Sequence, residues 1–403
     1  MKQYWLYITR DVFIWEDGDR ALIYNSENGK YFFTELDDEI KGIISSLLNI
    51  ENLNCLTVEE IDLNERVDSF VSNLRFISAG NIIECSNDIF QKPISYPPVL
   101  NLQNVPDKHI IGEETNLKKE DVIKYFHHLT INLGDLGCKS AQNYYTQIDY
   151  PSPKTTSFSL IREIKENVFP YKIPQITLLG LNDDDKTLFT QILDCVSVIS
   201  RRINIRLTTN QYNLMQRIFN EVEHEFKIEI LFDAKEDATL IFDDSFVVEN
   251  CNIIFLVRDN YDCDRVDDIV ASKHILNYST VPILDNDNLK FITENIFPTK
   301  EEILGMSLTK REIFCNQILN PTKFGHLTVV GSNVYSDVFD PPIGKINESF
   351  RDLVLRGIES DSPWMSVRSK RGCSKCLLKY LCPPVSNLEI ALNKRLKKNC
   401  FFN

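Results

Sequence analysis

Apolar and polar positions alternate with period two at the start of the chain, giving strand candidates at Tyr4–Ile8, Val12–Trp15, Ala21–Asn25 and Lys30–Phe33. Asp17-Gly18-Asp19 and Glu27-Asn28-Gly29 supply turn chemistry between them, so the pattern predicts a small β-meander. The period then lengthens. Ile40, Ile43, Ile44 and Leu47 form a helical stripe over Asp37–Leu48, and Val67, Phe70, Val71 and Leu74 form another over Glu65–Ala79, with Gly80 as its expected C-cap.

Between Ser86 and Glu120 the periodicity fades and Pro93, Pro97, Pro98 and Pro106 accumulate, which predicts a linker. Apolar strand runs follow at Leu129–Leu133, Gln175–Leu179, Ile203–Thr208, Lys227–Phe232, Thr239–Phe242, Asn252–Val257 and His274–Tyr278. Helical patterns at Lys186–Ile199, Tyr212–Val222 and Arg265–Lys273 separate several of them. That alternation predicts an α/β class with a parallel sheet, crossover helices and a partial barrel. From Asp287 the pattern is helical (Leu289–Phe297, Lys300–Asn316), then offers a hairpin of His326–Val330 and Asn333–Val338 before a cysteine-rich tail.

The 403 residues call for two or three domains, and 43% apolar with 25% charged residues is the balance of a folded, water-exposed chain. No run approaches the ~18 apolar residues of a membrane span, and Met1-Lys2-Gln3-Tyr4-Trp5 leads into no export signal; the expectation is cytoplasmic, with no membrane partner. Lys and Arg at 44 against Asp and Glu at 58 leave −14, which speaks against nucleic acid. Eleven cysteines in a reducing compartment point to metal rather than disulfides. Seven are scattered, while Cys373, Cys376, Cys382 and Cys400 crowd the tail.

Cys373-Ser-Lys-Cys376 has the spacing at which a tight turn aims two thiolates at one ion or cluster, and Cys382 and Cys400 complete a four-sulfur set suited to zinc or iron–sulfur. Trp364-Met-Ser-Val-Arg368, the Cys-x2-Cys-x5-Cys run with Pro383-Pro384, Ser386-Asn387-Leu388-Glu389 and Asn399-Cys400 together resemble the end of a SPASM domain. That domain is the C-terminal extension of many radical-SAM enzymes that modify peptides. The resemblance implies that Cys373, Cys376, Cys382 and Cys400 hold one auxiliary four-iron four-sulfur (4Fe-4S) cluster, with Zn as the alternative. A second family cluster is not expected: Cys315 precedes Gly331 at a matching distance, but Ser336 and Ser386 stand where two cysteines should be.

In the same family the first barrel strand ends in Cys-x3-Cys-x2-Cys. Here the loop after Leu129–Leu133, with Tyr144-Tyr145 downstream, puts Gly134, Cys138 and Ala141 at those positions, and Leu179-Gly180-Leu181-Asn182 replaces the glycine-rich SAM motif. One ligand in three does not hold the cluster, so binding and radical cleavage of SAM are not expected. Cys138 reads as a relic, since no sequence feature supplies a base to activate it. His127-His128 reads as structural, because neighbours on a strand face opposite ways. Asn182-Asp183-Asp184-Asp185 reads as the first turn of a helix.

Residues 1–85 resemble the winged-helix (RRE-like) recognition domains of ribosomal-peptide (RiPP) maturases, which bind a leader peptide by strand addition. The resemblance implies Lys30–Phe33 as edge strand and Glu65–Ala79 as the opposite wall, with Tyr31, Phe32, Phe33, Asp68 and Arg75 as peptide-binding candidates. A DNA-binding reading fails because that helix offers only Arg66 and Arg75 beside Glu65 and Asp68. The expected organisation is therefore a recognition domain over 1–85, a linker over 86–120, a degenerate radical-SAM-like β/α barrel over 121–300 and a SPASM-like domain over 301–403. The expected role is a non-catalytic pseudo-radical-SAM protein that binds a leader peptide and assists an active radical-SAM maturase. The alternatives are a peptide-modifying enzyme of non-radical chemistry, or an electron relay through the auxiliary cluster.

Overall fold

The first strand of the predicted meander goes elsewhere. β1 (Gln3–Ile8) leaves β2 (Val12–Asp17), β3 (Arg20–Asn25) and β4 (Tyr31–Glu35) to form an antiparallel sheet by themselves. After α1 (Asp38–Leu48), β1 finds its partners in β5 (Cys55–Glu59) and, beyond α2 (Glu65–Phe76), in β6 (Gly80–Glu84). The computed structural model describes residues 2–59, 63–85, 122–135, 157–168, 171–181, 185–237, 251–285, 287–295, 297–337, 340–358, 362–370 and 373–396. Asp37 and Asn64 cap the two helices by accepting from backbone N–H groups of the first turn, and the two apolar stripes close over β1–β3 as one core. Gly80 is not a C-cap. α2 ends four residues earlier, Ser78 takes the left-handed turn (φ 56°), and Gly80 opens β6 where an added Cβ would lie 2.2 Å from the Tyr7 carbonyl oxygen.

Among the described residues a nine-stranded sheet forms the middle of the molecule. β7 (His128–Asn132), α3 (Phe158–Val168), β8 (Gln175–Leu179), α4 (Lys186–Ile199), β9 (Ile203–Thr208), α5 (Thr209–Phe219), β10 (Lys227–Asp233), β11 (Cys251–Val257), α6 (Asn260–Lys273) and β12 (Tyr278–Pro282) follow in chain order. The six strands run parallel and each pairs with the next. The strand predicted at His274–Tyr278 starts only at Tyr278, because His274 closes α6 in the left-handed conformation. The strand predicted at Thr239–Phe242 lies outside the described residues.

The helix predicted over Lys300–Asn316 is two helices. After α7 (Leu289–Asn295) come α8 (Lys300–Gly305) and α9 (Lys310–Ile318), each begun by a threonine capping box, at Thr299 and Thr309. The predicted hairpin, β13 (His326–Val330) with β14 (Asn333–Tyr335), then extends the large sheet: β13 runs parallel to β7, and β15 (Gly344–Lys345) follows β14 at the edge.

Period two divides that sheet. Leu129, Ile131, Ile176, Leu178, Ile203, Ile205, Leu327 and Val329 pack with α3, α4 and α5 on one face. The alternate residues on the other face are polar through β7, β8, β9 and β13 (His128, Thr130, Thr177, Arg206, His326, Thr328) and apolar towards β10 and β11. The last described elements are α10 (Phe350–Ile358), short turns around the cysteines and α11 (Asn387–Leu396). Phe13, Trp15, Leu22 and Tyr24 on the free face of the first sheet pack against Leu377, Leu378, Leu381 and Cys382, so the N-terminal sheet is seated on the cysteine-bearing turns. The Leu308 N–H donates to Tyr24 Oη at 2.9 Å across this junction.

Candidate functional site

β4 is an edge strand among the described residues. Its pairing with β3 is bracketed by Asn25 N–H donating to Lys30 O and Leu36 N–H donating to Asp19 O. In that antiparallel register Phe32 and Thr34 turn their backbone groups to β3, while those of Tyr31, Phe33 and Glu35 point out of the sheet. The side chains alternate as well. Phe32 meets Phe70 of α2 with ring centroids 5.9 Å apart, whereas Tyr31 and Phe33 are each 37% exposed, edge-to-face at 5.9 Å, with Lys300 Nζ 4.8 Å from the Phe33 ring.

α2 runs antiparallel beside β4. Arg66 pairs with Glu35 and Asp37 at one end, and Lys30 lies over the Phe76 ring at the other, 5.6 Å from its centroid. Arg75 is turned the other way, its Nε donating to Asn81 Oδ1 of β6 at 2.5 Å. Asp68 is exposed and sits about 200° of helical turn from both Arg66 and Phe70, off the face beside β4. The residue missed in sequence is Phe76, 73% exposed beside Lys30. Its signal was an aromatic at the polar end of a stripe already closed by Leu74.

In the tail, Cys376 N–H donates to Cys373 O at 3.0 Å, and Cys382 N–H donates to Leu378 O at 2.8 Å. Cys373 and Cys382 are buried and Cys376 half-buried. Burial pushes the Cys382 thiol up to about 12, opposed by Arg368 and helped by Glu389, Cys373 and Cys376, so the three sulfurs share one electrostatic neighbourhood. A soft cation is what lets such buried thiols ionise, and that donor chemistry fits a thiolate-held metal. Among the described residues no three His, Cys, Asp or Glu side chains are gathered at metal-binding distances, and Cys400 lies outside the described residues. Arg368 ties the region together: its Nη atoms donate to both Glu389 carboxylate oxygens at 2.8 and 2.9 Å, and its Nε donates to Pro383 O at 2.6 Å.

Of the three positions mapped on the radical-cluster pattern, Cys138 and Ala141 lie outside the described residues. Gly134 is pressed against Gly180 (φ 70°), where a Cβ would lie 2.3 Å from Gly134 O. Gly180 is thus required by the close approach of the β7 and β8 ends, whatever the fate of the motif it was mapped to.

Ser336 and Ser386, from separate parts of the tail, line one cavity of about 350 Å³ together with His128, Thr130, Arg206, Lys323, His326 and Asp337; Cys315 does not line it. His128 and His326 stack face to face with centroids 4.3 Å apart. His128 Nε2 is 2.8 Å from Thr177 Oγ1, and His326 Nε2 is 2.8 Å from Thr130 Oγ1. Burial, then the charge of Arg206, lowers His128 to about 4; burial, His128 and Arg206 lower His326 to about 3. Both rings are neutral at pH 7. His127, on the other side of the strand, lies near Phe324 instead.

No protein-family model matches the chain, and no curated protein matches it. Among solved structures, Streptococcus suis SuiB bound to the precursor peptide SuiA is similar at 13% identity and a TM-score of 0.39, with 94% of each chain covered. A likeness at that level carries no weight for function. The fold stands on its own geometry: mixed α/β with a large, mainly parallel sheet and, among the described residues, no helix long and apolar enough to cross a membrane.

Proposed function

We propose that the chain binds an extended peptide, the leader of a ribosomally made precursor, along β4 and presents it to a partner enzyme such as an active radical-SAM maturase, without cleaving SAM itself. The observation carrying this reading is the open β4 edge, whose outward backbone groups at Tyr31, Phe33 and Glu35 lie between the exposed rings of Tyr31 and Phe33 and the flank of α2. Strand addition draws its affinity from those backbone groups and its selectivity from alternate side-chain contacts. In this reading Cys373, Cys376, Cys382 and Cys400 hold one iron–sulfur cluster or a zinc ion, which supplies folding energy to the turns on which the N-terminal sheet is seated.

Phe33→Pro tests the reading. The Phe33 N–H faces away from β3, so proline leaves the β3–β4 ladder intact while removing one outward donor and one ring. Titration of labelled leader peptide into the full chain should show at least ~tenfold weaker binding, the equivalent of about 1.4 kcal/mol. Unchanged affinity removes the edge from the reading. The polar sheet face with its histidine pair favours one second reading, a non-radical peptide-modifying enzyme. A change in precursor mass produced by the purified chain alone would establish it.

A further inference from the structure

The cavity at the start of β7 and β13 is built from groups that the peptide-edge reading does not use. Its volume, about 350 Å³, lies at the lower end of the ~300–1,000 Å³ range of small-ligand sites. Ser336 lines it while only 7% exposed, and its Oγ has no hydrogen-bond partner among the described residues. A buried hydroxyl without a partner is unfavourable until a ligand supplies the missing bond.

The charges around the cavity are already compensated. Those facing the imidazoles are Arg206 on β9, Lys323 before β13 and Asp337 after β14. Arg206 is paired with Glu229 of β10, whose Oε2 accepts from its Nε at 2.7 Å and lies 2.6 Å from its Nη2, and Lys323 is paired with Asp337. β7, β8 and the turn before α11 contribute the uncharged Thr130, Thr177 and Ser386. Burial, then Arg206, keeps His128 neutral at pH 7, and burial, His128 and Arg206 do the same for His326. The lining therefore has no spare charge for an ion, which would lose its hydration on entry without compensation.

What the lining does offer is combined donor and acceptor capacity. A hydroxyl or a neutral imidazole can both donate and accept, and Ser336, Thr130, Ser386 and the two histidines all have that character. A carboxamide is the uncharged complement, because its carbonyl oxygen accepts and its NH2 group donates within one small plane. Leu179 adds an apolar surface for a short carbon chain. We infer that this cavity binds a small uncharged molecule carrying a carboxamide, with the amide set against Ser336 and the stacked His128 and His326.

Three probes of nearly equal shape test this: propionamide, its anionic counterpart propionate, and 2-butanone, which keeps the carbonyl and replaces the NH2 donor with a methyl group. The readout is the histidine imidazole resonances of the full chain, assigned with His128→Gln and His326→Gln. Propionamide should shift both resonances, with an affinity that does not change between pH 5.5 and 7.5 because neither ring takes up a proton there. Propionate and 2-butanone should each bind at least ~tenfold more weakly, the first through lost hydration and the second through the unanswered acceptors. Ser336→Ala should weaken propionamide about fivefold or more while melting no lower than wild type, since the hydroxyl it deletes has no partner. Propionate or 2-butanone binding as well as propionamide, unchanged affinity in Ser336→Ala, a pH-dependent amide affinity, or no imidazole shift with propionamide each overturns the inference. Every residue involved follows position 127, so failure at β4 leaves this result unaffected, and the converse holds.

Discussion

Replacing Arg368 with methionine keeps the approximate side-chain volume and removes the guanidinium that holds Glu389 and the Pro383 carbonyl. Both partners of the pair are nearly inaccessible, 7% exposed for Arg368 and 6% for Glu389, and the contact is bidentate at 2.8 and 2.9 Å. Removing one member of such a pair strands a buried carboxylate, which costs about 3–5 kcal/mol. The cost falls on the tail, because Glu389 is in the first turn of α11 and Pro383 follows Cys382. Amide hydrogen exchange of α11 reads it locally, without requiring the whole chain to unfold in one step. At about 1.4 kcal/mol per decade, protection there should drop by roughly two to three and a half orders of magnitude. The double variant Arg368→Met with Glu389→Leu removes the stranded charge and should recover most of the loss. If the single variant loses less than about 1 kcal/mol, or the double variant exchanges as fast as the single, the pair does not organise the tail and the reasoning fails.

Gly180→Ala should destabilise the parallel sheet by at least ~2 kcal/mol, since its φ of 70° and the 2.3 Å approach to Gly134 O are both incompatible with a Cβ; thermal melting against wild type measures it, and an unchanged melting temperature would deny the close packing. His128 and His326 are lowered in the folded protein to about 4 and about 3, so the unfolded chain takes up protons first as pH falls below about 6.5. Their contribution is fully present above that pH and lost on the way down to the folded values; melting temperature should therefore fall more steeply between pH 6.5 and 4 in wild type than in His326→Gln. Anaerobic purification with metal and sulfide analysis should find iron with sulfide, or zinc, and Cys376→Ser should lower that content and the tail's exchange protection together. Full metal loading in the variant would remove Cys376 from the ligand set.

Local periodicity determined the two helices of the N-terminal region. The stripes Ile40–Ile44–Leu47 and Val67–Phe70–Val71–Leu74 are buried as their spacing requires, because a helix is closed by bonds between near neighbours and its inward face follows from the period of 3.6. Most strands of the parallel sheet were legible from their apolar runs, and alternation with helices announced that they would run parallel, since each crossover returns the chain beside the strand it left. The alternation Tyr31–Phe32–Phe33 announced only that these rings would divide between two faces; Phe32, a peptide-binding candidate in sequence, is the one covered, against Phe70.

What only the tertiary structure decided is which distant segments meet. β1 could not be assigned to β5 and β6, nor β13 to β7, because strand partners are joined by bonds whose sequence separation no local pattern records. The cavity is the clearest case. Thr130 and His326 lie 196 residues apart and come within 2.8 Å because β13 enters the sheet beside β7, and that same pairing stacks His326 on His128. A histidine followed by alternating threonine is visible at both strand starts, His128-Leu-Thr130 and His326-Leu-Thr328, yet each reads alone as an ordinary strand. Their chemistry arises from register, a property of two strands together, and register is fixed by the folded sheet.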